Sequence, residues 1–249
     1  MCGAEASASS SSEGGWREGP YEGAYGRWWL DESDRAEVYR YRAGLVTSGA
    51  CATAGCALAL LAPDHGAGAL EPLYFASAAG LGLALWEVHM YLGGIKRFMQ
   101  AMWALGMAGS VAVAASVEPA LPLAVAGDPR LVWAVGPLFV ALTGLAFKEG
   151  ACYGKPEAAA LFFLVPSVLL GHLSGLASEG PEQVGLACFM LLYAVFSGRK
   201  FTQPLKDDVG DKSVFVFQAM TPDEQDAAVR RLEAAKLMRA AGLEPADDA

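Results

Sequence analysis

The chain has 249 residues, 54% of them hydrophobic and 18% charged, with a formal net charge of −9. Residues 1–42 carry eight acids and five bases, and residues 207–249 carry ten and five, so the negative charge sits on two ends flanking an apolar middle. That balance argues against nucleic acid as a partner, because a phosphate backbone is held by clustered Lys and Arg.

Residues 1–20, MCGAEASASSSSEGGWREGP, hold no apolar run and are expected to be disordered. Their Ser and Ala suit a plastid transit peptide or its remnant, while the glutamates and the single Arg17 fit a complete one poorly. Residues 21–30, YEGAYGRWWL, bring aromatics that favour the headgroup region, read as a short strand or turn lying on the membrane. Asp31, Ser33 and Asp34 then mark a helix start, with oxygen-bearing caps and acids at the positive end of the dipole. The segment 21–43 is therefore an interfacial stretch leading into the first span.

Six apolar runs follow, at 44–62, 73–94, 98–117, 131–147, 158–177 and 184–197. About twenty apolar residues cross the hydrocarbon, so the fourth and sixth are short. None alternates with the two-residue period of a membrane strand. The fold class expected is all-α: a polytopic bundle of six transmembrane helices over 44–198, with kinks at Pro137 and Pro166. Gly171 with Gly175, Gly80 with Gly82, and Gly106 with Gly109 offer surfaces for close helix approach. With six spans, both termini share a side with Arg35, Arg40, Arg42, Lys96, Arg97, Lys148, Lys155, Arg199, Lys200 and Lys206, whereas the opposite loops hold Arg130 alone. The positive-inside rule puts that basic side in the cytoplasm or the stroma. Beyond the spans, residues 199–249 read as a polar loop, a short strand over 212–220, a helix capped by Thr221, Pro222 and Glu224 that docks or binds a partner, and an acidic tail.

Two polar knots fall on the basic side: Glu87 and His89 ahead of Lys96 and Arg97, and the hinge FKEGACYGKPEA with Lys148, Glu149, Cys152, Lys155 and Glu157. If the second span runs on to the Lys96–Arg97 end, Glu87 lies roughly 12 Å and His89 roughly 10 Å deep. Charge at that depth is costly and is therefore either paired or functional. Converging Glu87, His89, Glu149, Cys152 and Glu157 have the chemistry of a divalent-metal or proton site. The competing reading is structural ion pairing among Lys148, Glu149, Lys155 and Arg97. A haem held by His89 and His172 is disfavoured because their depths differ about twofold on helical rise, which leaves His172 as a packing residue near Ser174. No nucleotide loop, nucleophile elbow or HExxH occurs, and five cysteines without a CxxC give no disulfide framework.

The stretches YEGAYG…DESDRAEVYRYRAGLV, WEVHMYLGGIKR and FKEGACYGKPEA together resemble the uncharacterised integral membrane proteins of cyanobacteria and plastids (domain of unknown function 2301) over about residues 21–217. The YRAGL stretch and the KEG–CYG–E hinge are the most specific pieces. The resemblance implies a multispan protein of a photosynthetic cell or organelle and carries over no activity, cofactor or catalytic residue. Three functions stay open. One is a structural or assembly component of a thylakoid or other plastid membrane, with lipid and a larger membrane complex as partners. The second is a small-solute or ion transporter using Glu87 and His89, against which the two halves show no matching motif. The third is a membrane-embedded metal or pigment binder at the hinge.

Overall fold

The computed structural model describes residues 15–242, except 119 and 176–177. The chain divides into two compact units, one of residues 1–36 with 211–249 and one of residues 37–210.

In the first unit, strands β1 (Glu18–Gly23) and β2 (Gly26–Leu30) form an antiparallel hairpin with Tyr21 opposite Trp28 and Glu22 opposite Arg27. Residues 18–20 thus belong to a strand, not to a disordered leader; residues 1–14 lie outside the described ones. Cross-strand aromatic and ion pairs of this kind are what hold a two-stranded ribbon. Helix α1 (Glu32–Leu61) starts as expected: Asp31 Oδ1 accepts from the backbone N–H groups of Ser33 and Asp34 at 3.0 and 3.1 Å.

Helices α2 (Pro63–Glu87), α3 (Gly93–Ala114), α4 (Leu121–Gly127), α5 (Val132–Tyr153), α6 (Pro156–Ser174), α7 (Glu179–Gly198) and the single turn α8 (Lys206–Val209) make up the second unit with most of α1. Among the described residues, five stretches are long and apolar enough to cross a membrane: Glu32–Leu61, Ala67–Glu87, Pro129–Ala151, Pro156–Ser174 and Gly180–Phe201. The expected third span, now α3, has 22 residues but begins with Lys96, Arg97 and Gln100, which lower its hydropathy. Helices α5 and α6 run unbroken past Pro137 and Pro166. The bundle is all-α and membrane-type. Exposed Leu61, Trp133, Phe163, Leu170, Leu191 and Val195 are the lipid-facing side chains such a bundle requires.

Packing is closest where glycines leave room. A Cβ on Gly106 would stand 2.3 Å from the Leu138 backbone nitrogen, and one on Gly109 2.2 Å from the Ala134 carbonyl oxygen, so α3 lies directly on the α5 backbone. Gly44 and Gly80 play the same part between α1 and α2, and Trp103 fills the space over Gly82. Gly175 departs from the expected GxxxG pattern. It ends α6 in the left-handed region at φ 65°, with open space about it. Inside, Tyr41, Leu45, Leu85, Leu145, Leu161 and Phe196 are fully buried in one core.

A further expectation changes. Residues 212–219 are helix α9 (Lys212–Ala219), not a strand. The Asp211 carboxylate accepts the Ser213 N–H at 2.9 Å and starts the helix, and Phe217 stacks on Tyr25 with ring centres 3.8 Å apart. The cap and the ring contact outweigh the β-branched run KSVFVF. Helix α10 (Pro222–Ala240) has the expected start, Thr221 N–H donating to Glu224 at 2.8 Å, and Gly242 at φ 71° follows its end. Leu237 is 72% and Met238 50% exposed. Its apolar side chains are too few to form a buried face. The acidic tail at 243–249 lies outside the described residues.

Candidate functional site

The second polar knot is narrower than the sequence suggests. Helix α5 continues through Lys148 and Glu149 to Tyr153, and the true turn is Gly154 and Lys155. Gly154 adopts φ 61° and donates its N–H to the Gly150 carbonyl at 3.0 Å, stopping the helix. Lys155 is extended, as a residue ahead of proline must be, and Pro156 opens α6.

Glu149 is wholly buried at the end of α5 and surrounded by bases. Its Oε1 accepts from Lys148 Nζ at 3.0 Å and from the Tyr41 hydroxyl at 2.8 Å; its Oε2 accepts from Lys155 Nζ and, at 2.9 Å, from Lys200 Nζ. Lys200 also donates to Asp208, which takes Arg42 Nε at 2.7 Å and Gln203 Nε2 at 2.9 Å. Arg42 reaches the Gln203 and Pro204 carbonyls as well, at 2.8 and 3.0 Å. Segments from α1, α5, α8 and the turn after α7 therefore share one network. Lys148 and Lys155 also sit over the Tyr153 ring, at 4.5 and 5.2 Å from its centre, which offsets part of their desolvation. Burial brings the Lys155 ammonium down to about 8 against the attraction of Glu149. Charges buried this way hold only while every partner stays in place.

The remaining candidates pair elsewhere. Glu157, in the first turn of α6, takes both Nε and Nη2 of Arg199, the latter at 2.9 Å. Glu87 is held by Arg40 through bonds of 2.9 and 3.1 Å, and His89 Nε2 stands 3.0 Å from Glu37. Helix α2 stops at Glu87 rather than continuing to residue 94, so Glu87 and His89 lie at a helix end and not about 10 Å inside a span. Glu37 and Arg40 are three apart on α1 and present one face to both. Lys96 interacts with Glu37 and Glu87, whereas Arg97 is exposed and takes no part in the expected pairing. The Cys152 side chain lies outside the described residues.

Glu87, Glu149 and Glu157 close on separate bases and His89 on Glu37, so the four do not converge. Among the described residues no group of three or more His, Cys, Asp or Glu is placed to hold a metal. His172 is no packing residue. Its Nδ1 meets Glu182 and its Nε2 meets the Val125 carbonyl, both at 2.9 Å, so it ties α6 to α7 and α4. Sequence reasoning missed Arg42, Lys200 and Asp208 as members of the network; the only signal they gave was their place on the basic side.

A family model described as uncharacterized integral membrane protein (DUF2301) matches residues 83–217. The chain belongs to this family. The match covers WEVHMYLGGIKR, the α5–α6 turn and the Lys200–Asp208 loop, and leaves the YRAGL stretch of α1 outside it. Family and apolar helices together make this an integral membrane protein. Neither a curated protein nor a solved structure matches the chain.

Proposed function

We propose that the protein is a structural or assembly component of a photosynthetic membrane, thylakoid or plastid envelope, with both termini in the stroma. The observation that carries this reading is the closure of its polar groups on one another. Glu87, His89, Glu149 and Glu157 each bind a residue of another segment, and so act as clasps between helices. The same closure weighs against a transporter built on Glu87 and His89, and against a metal or pigment ligand set at the hinge. The strong basic bias of the side bearing Lys148, Lys155 and Lys200, with α3 counted as a sixth span beside the five more apolar stretches, supports the orientation. Gly44, Gly80, Gly82, Gly106 and Gly109 are spent inside the bundle, and the exposed helix α10 offers a surface for a partner complex.

Native mass spectrometry of gently solubilised membranes tests the reading. The expected result is co-migration with a larger membrane protein complex, whose amount falls when the chain is deleted. A protein that runs alone and carries a stoichiometric pigment or metal would sink it. Epitope tags on both ends, probed on sealed vesicles, test the orientation: protection of one end only is the adverse outcome.

A further inference from the structure

Next to the Glu149 network lies a cavity of about 280 Å³, lined among others by Lys155, Pro156, Arg199, Thr202, Gln203 and Asp207. The charges around it do not cancel. Arg42, Lys148, Lys155, Arg199 and Lys200 stand against Glu149, Glu157, Asp207 and Asp208, which leaves one positive charge over. Lys148, Lys155 and Lys200 are more than nine-tenths buried, at 5%, 6% and 2% exposed, where an unmatched ion is costly. The 19-residue helix α6 also begins at the cavity wall, with Pro156 in its first position, and adds the positive end of its dipole.

We propose that this cavity binds a small oxyanion of the phosphate class, either free phosphate or the phosphate monoester headgroup of a lipid. Lys155 and Arg199 supply the charge. Asp207 on the wall disfavours a fully ionised ligand and selects the singly charged form. The bound anion neutralises the excess charge and so fastens the α5–α6 turn to the loop after α7.

The test uses the full chain in phosphatidylcholine nanodiscs, titrated with inorganic phosphate while labelled phosphate retained and the unfolding midpoint are both read. A parallel set of discs contains phosphatidic acid and no free phosphate. A saturable rise in midpoint with retained label identifies free phosphate; the same rise from phosphatidic acid, with no further response to phosphate, identifies the headgroup. Lys155→Met removes one of the two cations on the cavity wall, so affinity for the anion should fall about tenfold or more. Thr202→Phe, placed at the exposed rim, should fill the cavity and abolish the response without lowering the anion-free midpoint; it decides the matter if Lys155→Met does not fold. The proposal is overturned if wild type retains no label and melts alike in all three conditions. It is equally overturned if the response survives Thr202→Phe.

Discussion

The Glu149 carboxylate meets the Lys200 ammonium at 2.9 Å across 51 residues of sequence, joining the end of α5 to the turn that follows α7. Both side chains are at most 1% exposed. The clasp between these helices is thus a dry ion pair within a larger network, and its two halves are not equivalent. Glu149 serves three lysines, while Lys200 has Asp208 as a second acid.

Glu149→Gln should therefore be the more damaging change. It keeps the shape but leaves Lys148 and Lys155 buried without their acid, at a cost of about 3–5 kcal/mol. Unfolding of the purified protein in detergent is the measurement. Glu149→Gln combined with Lys200→Met should recover part of the loss, because the orphaned charge is then removed as well. Equal stability of Glu149→Gln and wild type would mean that the network carries no weight.

Gly106→Ala should cost about 1–3 kcal/mol through overpacking against the α5 backbone at Leu138. Gly127→Ala is the control, since nothing stands within 4 Å of a Cβ there. The same unfolding assay compares them, and equal midpoints would refute the close α3–α5 contact.

In the first unit, Lys212 donates to Asp31 at 2.8 Å and to Asp34 at 2.6 Å. Hydrogen bonds from Lys212 and Ser33 hold the Asp31 carboxyl well below its ordinary value of 3.8. A group whose folded value is depressed contributes its stability above the unfolded value and loses it as pH falls toward the folded one. Amide exchange in residues 16–30 and 211–219 should therefore quicken as the pH drops below 3.8, once corrected for intrinsic rates. In Lys212→Met that acid sensitivity should flatten. An identical pH profile in the variant would contradict the link.

Thr221→Ala removes the hydroxyl bond of the cap at the start of α10, where Thr221 N–H and hydroxyl both donate to Glu224, at 2.8 and 2.9 Å. Loss of such a cap should speed exchange of the first-turn amides about fivefold and leave the second unit unchanged.

Much of the bundle could be read from composition and run length, since lipid admits few other solutions for an apolar chain. The start of α1 and the cap of α10 were legible because Asp31, Thr221, Pro222 and Glu224 act on their immediate neighbours. The end of α2 was not. WEVHMYLGG is apolar enough to prolong a span, and what ends the helix at Glu87 is seen only with Arg40 and Glu37 in place. The partners of Glu149 were hidden for a similar reason. Lys200 and Asp208 look like loop charges in the sequence, and only the return of α7 beside α5 buries them. Helix α9 misled by composition: its alternating Val and Phe suit a strand, while Asp211 and Tyr25 decide otherwise.

The burial of Lys155 bears on how sidedness can be mapped. A lysine in a two-residue turn between spans would ordinarily be among the first amines to react with an acylating reagent. Here Lys148, Lys155 and Lys200 are all shielded, whereas Lys206 and Lys236 are exposed. Silence at the α5–α6 turn in a labelling map would therefore report shielding by its own neighbours, not a position on the opposite side of the bilayer.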